Sequence, residues 1–176
     1  VVTAAGGLVG ETVQIWKPKK INTFETEWGF SCMGYEISGA LGIKMAKPDQ
    51  DVIVFIGDGS YLLANSDIYS SVIYDQKLII IVCDNGGHMV INRLQLAKGG
   101  KEYICNLRAA RATNLQFVDF AAHAKSMGAE SEAVSSTSEL EAAFLRAKKS
   151  KKTYVISIKT HGYEWLDGTA FWDSPT

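Results

Sequence analysis

Two short apolar runs govern what this chain can fold into. Asp51-Val52-Ile53-Val54-Phe55-Ile56 and Leu78-Ile79-Ile80-Ile81-Val82-Cys83 are rich in β-branched residues and nearly unbroken. A strand with one wet face alternates apolar and polar residues, whereas an unbroken run needs cover on both faces. That is the situation of a central strand in a parallel sheet. Parallel neighbours cannot be joined by a hairpin and need a crossover, usually helical. Between the runs, Ser66–Tyr74 reads as a short helix with Asn65 or Ser66 as its cap.

The same alternation extends along the chain. Val1–Ala5 reads as a strand and Leu8–Trp16 as a helix, closed off by Pro18. Tyr35–Ala46 places Ile37, Leu41 and Met45 at helical spacing and stops before Pro48. Asn114–Met127 and Thr137–Lys149 read as helices, the second capped by Thr137, and Thr153–Ile158 reads as a strand. The pattern predicts an α/β fold: a doubly wound, mainly parallel sheet with helices on both faces. The stretch 85–113 has no clear period and is expected to be a long functional or mobile loop. The aromatic tail with Tyr163, Trp165, Phe171 and Trp172 is expected to dock on a neighbouring surface.

Composition narrows the function. The chain has 176 residues, 47% of them apolar, enough for one domain with its own core. We read 1–176 as a single domain with no internal repeat. A formal net charge of −1 lacks the basic footprint of a nucleic-acid binder. The run Lys148–Lys152 reads as a solvated helix end favoured by the macrodipole. Cys32, Cys83 and Cys105 form neither a disulfide framework nor a metal knuckle, and are expected to be buried thiols in a reducing compartment. There is no apolar run of membrane-spanning length and no leader, so a cytoplasmic protein without membrane contact is expected. Because the chain opens inside a strand with no methionine, it is expected to be a piece of a longer multidomain protein.

In open α/β sheets, ligands bind beyond the carboxyl ends of the strands. Gly57-Asp58-Gly59-Ser60 follows the first apolar run, and Asp84-Asn85-Gly86-Gly87 follows the second, with Asn85 27 positions after Asp58. Each tetrapeptide alone is turn-like. As a pair spaced by one strand–helix–strand step, they bring Asp58 and Asn85 to one rim. Their oxygens suit Mg²⁺, which bridges carboxylates to substrate phosphates. The glycines permit close approach of backbone N–H groups to a phosphate. A P-loop is absent, and Gly6-Gly7-Leu8-Val9-Gly10 matches a dinucleotide fingerprint only in part, which keeps a Rossmann-like redox domain as an alternative.

The paired signature resembles that of thiamine-diphosphate-dependent enzymes of the acetolactate-synthase-like group, and the likeness covers the chain as their diphosphate-binding (PP) domain. Gly29-Phe30-Ser31-Cys32-Met33-Gly34-Tyr35 and Gly87-His88-Met89-Val90 resemble the group's flanking segments. Glu27–Glu36 is most similar to the trihydroxycyclohexane-dione hydrolases of inositol breakdown. Two departures stand out: Asp84 replaces an asparagine and Ser31 a common glycine. The resemblance implies Mg²⁺ on the side chains of Asp58 and Asn85 and the carbonyl of Gly87. It implies thiamine diphosphate on Gly57, Gly59 and Ser60, the last through its amide and hydroxyl. Met33 would be the apolar wedge under the cofactor, the Ser31 carbonyl would accept from the aminopyrimidine, and His88 and Met89 would lie nearby.

In this family the glutamate that activates the aminopyrimidine lies in a separate pyrimidine-binding domain, usually on another subunit. No catalytic residue is therefore assigned to this chain, and Glu25, Glu27 and Glu36 are given no catalysis. The resemblance implies a small-molecule carbonyl substrate, a homo-oligomer at full length and hydrolytic C–C cleavage of a cyclic 1,2-dione. Acetolactate synthase or a related carboligase, and a non-catalytic interaction module, are the alternatives.

Overall fold

The structure, a computed structural model, describes residues 1–27 and 29–166. Its elements run β1 (Val2–Thr3), α1 (Gly7–Ile15), β2 (Glu25–Thr26), α2 (Tyr35–Ala46), β3 (Ile53–Gly57), α3 (Asp58–Leu63), α4 (Asp67–Ile73), β4 (Ile79–Asp84), α5 (Met89–Ala97), α6 (Phe120–Ser126), β5 (Glu130–Val134), α7 (Thr137–Lys149) and β6 (Tyr154–Lys159). The six strands form one sheet in the order β2-β1-β3-β4-β6-β5, with every pairing parallel. This is the α/β architecture that the apolar runs predict. Among the described residues no helix is long and apolar enough to cross a membrane.

The two apolar runs occupy the middle of the sheet. Residues Leu78–Val82 are all buried, because β4 is covered on both faces. One face packs Val54, Ile56, Ile80 and Val155 against Ile37, Ala40 and Leu41 of α2, Ile68 of α4, and Phe120 and Ala124 of α6. The other packs Ile79 and Ile156 against Ala143 and Ala147 of α7. Small alanines there let α7 lie close to the sheet, and Arg146 clamps it to β5 through a bidentate contact with Glu132 at 2.9 and 2.6 Å.

Several boundaries differ from the sequence expectation, each for a local reason. Residues 114–119 are not helical; α6 begins at Phe120, where the Asp119 side chain accepts the Ala122 N–H at 2.9 Å. The cap of α7 is Ser136 rather than Thr137, with Glu139 bonding back to the Ser135 N–H. Ser66 precedes α4 with no side-chain cap bond, and Asn65 instead donates to the Tyr61 carbonyl. The stretch 85–113 contains α5 and a 3₁₀ turn at Leu107–Ala109. Strands β2 and β5 escaped notice because they are short or polar edge strands. Met45 is 59% exposed, not core. Positions four apart advance by about 40° around a helix, so a stripe from Ile37 drifts off the sheet by the third member.

The cysteines are not uniformly buried: Cys32 is exposed, and Cys83 and Cys105 are half-buried. Of the aromatic tail, Tyr163 and Trp165 pack on this chain itself, with Tyr163 bonded to Glu102 and Asn106 and Trp165 stacked under Arg93. Phe171 and Trp172 lie outside the described residues.

Ile80→Ala should destabilise the fold by roughly 2–5 kcal/mol, the cost of a buried cavity in a central strand. Met45→Ala should change it by no more than about 0.5 kcal/mol. Urea denaturation of the two variants checks both burial assignments.

Candidate cofactor site

The chain runs from β1 outward to β2, then crosses back to β3 on the other side of β1. The crevice between the carboxyl ends of β1 and β3 is therefore a topological switch point, the place where open α/β sheets bind ligands. A cavity of about 260 Å³ opens there. It is lined by all ten residues singled out from the sequence: Ser31, Met33, Gly57, Asp58, Gly59, Ser60, Asn85, Gly87, His88 and Met89.

The register of the sheet makes this convergence. In the β3–β4 ladder Gly57 pairs with Cys83, so Asp58 and the loop after Asp84 leave the sheet side by side. Asp58 is only 3% exposed. Its Oδ2 accepts the Gly87 N–H at 2.7 Å. The side-chain oxygen of Asn85 lies 2.8 Å from the Gly87 carbonyl oxygen and 3.2 Å from Asp58 Oδ1. In this orientation three oxygens face one another. Turning the amide over would let its NH₂ donate to both neighbours; a cation among the oxygens satisfies them equally. Octahedral Mg²⁺, with ligands at about 2.0–2.1 Å, sets adjacent oxygens about 2.9 Å apart. The spacing and the hard-oxygen chemistry both fit that ion.

Burial, then the neighbouring Asp84 carboxylate, push the Asp58 carboxyl up to about 6, against the pull of the Gly87 and Gly59 amides. Asp84 has its own partners: Oδ1 accepts the Gly86 N–H at 3.1 Å and Oδ2 pairs with Lys159. The first contact shapes the Asn85–Gly87 turn, so the aspartate that replaces an asparagine here has a structural task. The turn is also strapped from outside, His88 N–H to Cys105 carbonyl at 2.7 Å and Leu107 N–H to Gly86 carbonyl at 3.0 Å. Gly87 has φ +138, and a Cβ there would strike the Cys105 carbonyl oxygen.

The floor of the cavity is the first turn of α3, whose leading N–H groups lack intrahelical acceptors. A Cβ on Gly59 would come within 2.7 Å of the His88 ring and 3.4 Å of Met33 Cε, so the glycine is what lets these side chains close over the turn. Met33 stands 40% exposed in the cavity. Ser31 holds a left-handed backbone, φ +50. Met89 is buried and His88 exposed. The Ser60 hydroxyl departs from the expectation: its proton is directed at the Glu36 carboxylate, 2.7 and 2.8 Å away. Its amide is then what this residue offers a ligand.

The sequence reading missed part of the lining. Ala5, Gly6, Gly7 and Leu8 form the β1 side of the cavity, and Val90, Ile91 and Leu94 of α5 an apolar side. The incomplete dinucleotide-like glycines were the available signal for the first group: Gly6 has φ +78, and Trp165 packs against Gly7 so closely that a Cβ would lie 2.5 Å from its ring. Glu36, weighed in the sequence only as a base and given no catalysis, is buried behind the cavity rather than solvated. Glu25 lies in β2, away from the cavity lining. Glu27 holds the rim loop by accepting the Phe30 and Cys32 amides at 3.1 and 2.8 Å.

Residues 4–158 match the family described as thiamine pyrophosphate enzyme, C-terminal TPP binding domain. The chain belongs to that family. It is 40% identical over 168 residues to the 3D-(3,5/4)-trihydroxycyclohexane-1,2-dione hydrolase of Halalkalibacterium halodurans, covering 96% of this chain and 26% of the relative. The enzyme of the same name from Bacillus subtilis is 36% identical over 172 residues, covering 98% and 27%. The chain thus spans about a quarter of the length of these relatives. Among solved structures, benzoylformate decarboxylase from Polynucleobacter necessarius superposes with a TM-score of 0.78 at 22% identity, over 94% of this chain and 31% of that one. The thiamine diphosphate-dependent 4-hydroxybenzoylformate decarboxylase of Rhodococcus jostii gives 0.65 at 23%, over 79% and 25%. These two likenesses establish the shared fold of the TPP-binding domain.

Gly87→Ala should destabilise this domain by about 1–3 kcal/mol, from left-handed strain and the clash with Cys105. Gly57→Ala should not, because its φ is −77 and a Cβ there meets nothing within 4 Å. Chemical denaturation of the pair separates strained glycine from unstrained.

Proposed function

We propose that this chain is the PP domain of a larger thiamine-diphosphate- and Mg²⁺-dependent enzyme. The observation that carries this reading is the convergence of the Asp58, Asn85 and Gly87 oxygens beside a cavity at the switch point. Asp58, Asn85 and Gly87 would hold Mg²⁺ through these oxygens, beside the place for the diphosphate. The first-turn amides of α3 at Gly59 and Ser60 receive the phosphate oxygens, and Gly57 keeps the approach open. Met33 would support the cofactor, the Ser31 carbonyl would accept from its aminopyrimidine, and His88 and Met89 would close the side near α5.

When bound, thiamine diphosphate supplies the carbanion-stabilising chemistry. The residues of this chain bind, orient and exclude water around it. The proton acceptor for the aminopyrimidine comes from a pyrimidine-binding domain, contributed by another subunit of a cytoplasmic homo-oligomer. The substrate is a cyclic 1,2-dione, as in the names of the relatives at 36–40% identity. Water adds across the bond between its two carbonyls, leaving a carboxylic acid at one carbon and an aldehyde at the other.

Asp58→Ala in the full-length protein should abolish Mg²⁺-dependent cofactor binding, because the diphosphate loses the only carboxylate in the oxygen set; calorimetry showing unchanged affinity in a folded variant sinks the assignment. The pH dependence has a definite sign. The folded-state value of Asp58, about 6, lies above its ordinary 3.8. Ionising this group therefore costs the metal-free fold stability as pH rises from about 4 to 6, with no further loss above. Protons compete with the cation, so Mg²⁺ affinity should climb up to about tenfold per pH unit below 6 and level off above it. Mg²⁺ titrations at several pH values read this directly. The isolated chain should fold yet show no turnover with saturating cofactor and Mg²⁺; activity comparable to the intact enzyme would place the proton acceptor within this chain.

A further inference from the structure

Behind the cavity floor lies a buried carboxylate that the proposed function does not use. Glu36, in the first turn of α2, is 1% exposed. Its Oε2 accepts the Gly34 N–H at 3.0 Å and the Ser60 hydroxyl at 2.7 Å, with Oε1 at 2.8 Å from the same hydroxyl. The amides of Ala5 and of Glu36 itself also stabilise its charge. A buried carboxylate is costly unless its lone pairs are filled, and here neutral donors fill them. Those donors come from three segments of the chain, each of which lines or adjoins the cavity.

The segments need such a tie. Gly34 has φ +93, and a Cβ there would lie 2.8 Å from Ala64 Cβ, so the turn after Met33 is pressed against the end of α3. The Gly34 N–H reaches the Ser60 hydroxyl at 2.8 Å as well as Glu36. Gly34, Ser60 and Glu36 therefore form a closed triangle of hydrogen bonds. Met33 is one residue from that triangle, and Ser60 sits two residues after Asp58.

We propose that Glu36 is a positioning residue for the cofactor pocket, one carboxylate fixing the Ala5 turn, the Met33–Gly34 turn and the first turn of α3 in a single wall. This deepens the proposed cofactor-binding function and rests on it. By accepting the Ser60 hydroxyl hydrogen bond, Glu36 turns that hydroxyl away from the place for the diphosphate and leaves the amide as the presented group. By holding Gly34, it sets the height of Met33 in the cavity. Without it, four donors lose a shared acceptor and the three segments move independently.

The test uses the full-length protein, with cofactor affinity measured by calorimetry at saturating Mg²⁺ and the melting temperature measured without cofactor. Glu36→Ala should weaken thiamine diphosphate binding by about tenfold or more in the folded protein. Glu36→Gln, which keeps the size and one acceptor, should recover part of that loss. Ser60→Ala should weaken binding by about threefold, and combining it with Glu36→Ala or Glu36→Gln should cost less than the sum, because the two residues act as a unit. If Glu36→Ala does not fold, the Gln variant and its combination with Ser60→Ala carry the same test. A lower melting temperature with unchanged affinity of the folded protein would mean mere core support and overturn the proposal. Additive losses would overturn it too. A wild-type protein that binds no thiamine diphosphate would instead overturn the function on which it rests.

Discussion

The hydrogen-bond ladder between β3 and β4 is the constraint on which the site depends. Parallel pairing in the register Gly57 with Cys83 ends both strands at one level. The residues just past each strand then emerge on the same rim: Asp58 at the head of a helix, Asn85 in a turn. A slip of one residue would invert every side chain of β3 relative to the core. The register is held against that by Val54, Ile56, Ile80 and Val82, all fully buried. Core packing and ligand geometry are therefore the same specification, enforced by apolar residues that never touch the cavity.

Three buried carboxylates lie close to this rim, and each meets the cost of burial differently. Asp84 has a lysine, Lys159, and the Gly86 amide. Glu36 has neutral donors on both oxygens. Asp58 has the Gly87 amide on one oxygen, while the other faces the side-chain amide of Asn85. The surrounding fold could have supplied a basic residue there, as it does for Asp84, and supplies instead an amide and a carbonyl. Neutral groups beside one buried charge set this position apart from the Asp84–Lys159 ion pair.

The central strands and the two strand-end signatures were legible because burial on both faces leaves an unmistakable apolar run, and because turns that bring a ligand to backbone need glycine. The ten residues read from those signals and from the family likeness all line the cavity. What escaped was carried by contacts between segments distant in sequence. Helix α5 hides in a glycine- and asparagine-rich stretch because only Met89 and Asn92 are buried within it, too few to mark a period. Strand β5, Glu130-Ser131-Glu132-Ala133-Val134, is mostly polar and takes its conformation from pairing with β6. The orientation of the Ser60 hydroxyl depends on Glu36, 24 positions earlier, and no local pattern announces such a pairing.

The packing of Trp165 against Gly7 has a consequence for the order in which the domain is assembled. The β1 wall of the cavity is made early in the synthesis of this domain, yet its turn is covered by an indole that leaves the ribosome well over a hundred residues later. A parallel sheet already delays its long-range pairings. Here the two ends of the described chain must also meet before the pocket has its final shape. The turn after β1 therefore reaches its packed form only once Trp165 has been added, long after both strand-end signatures have been made.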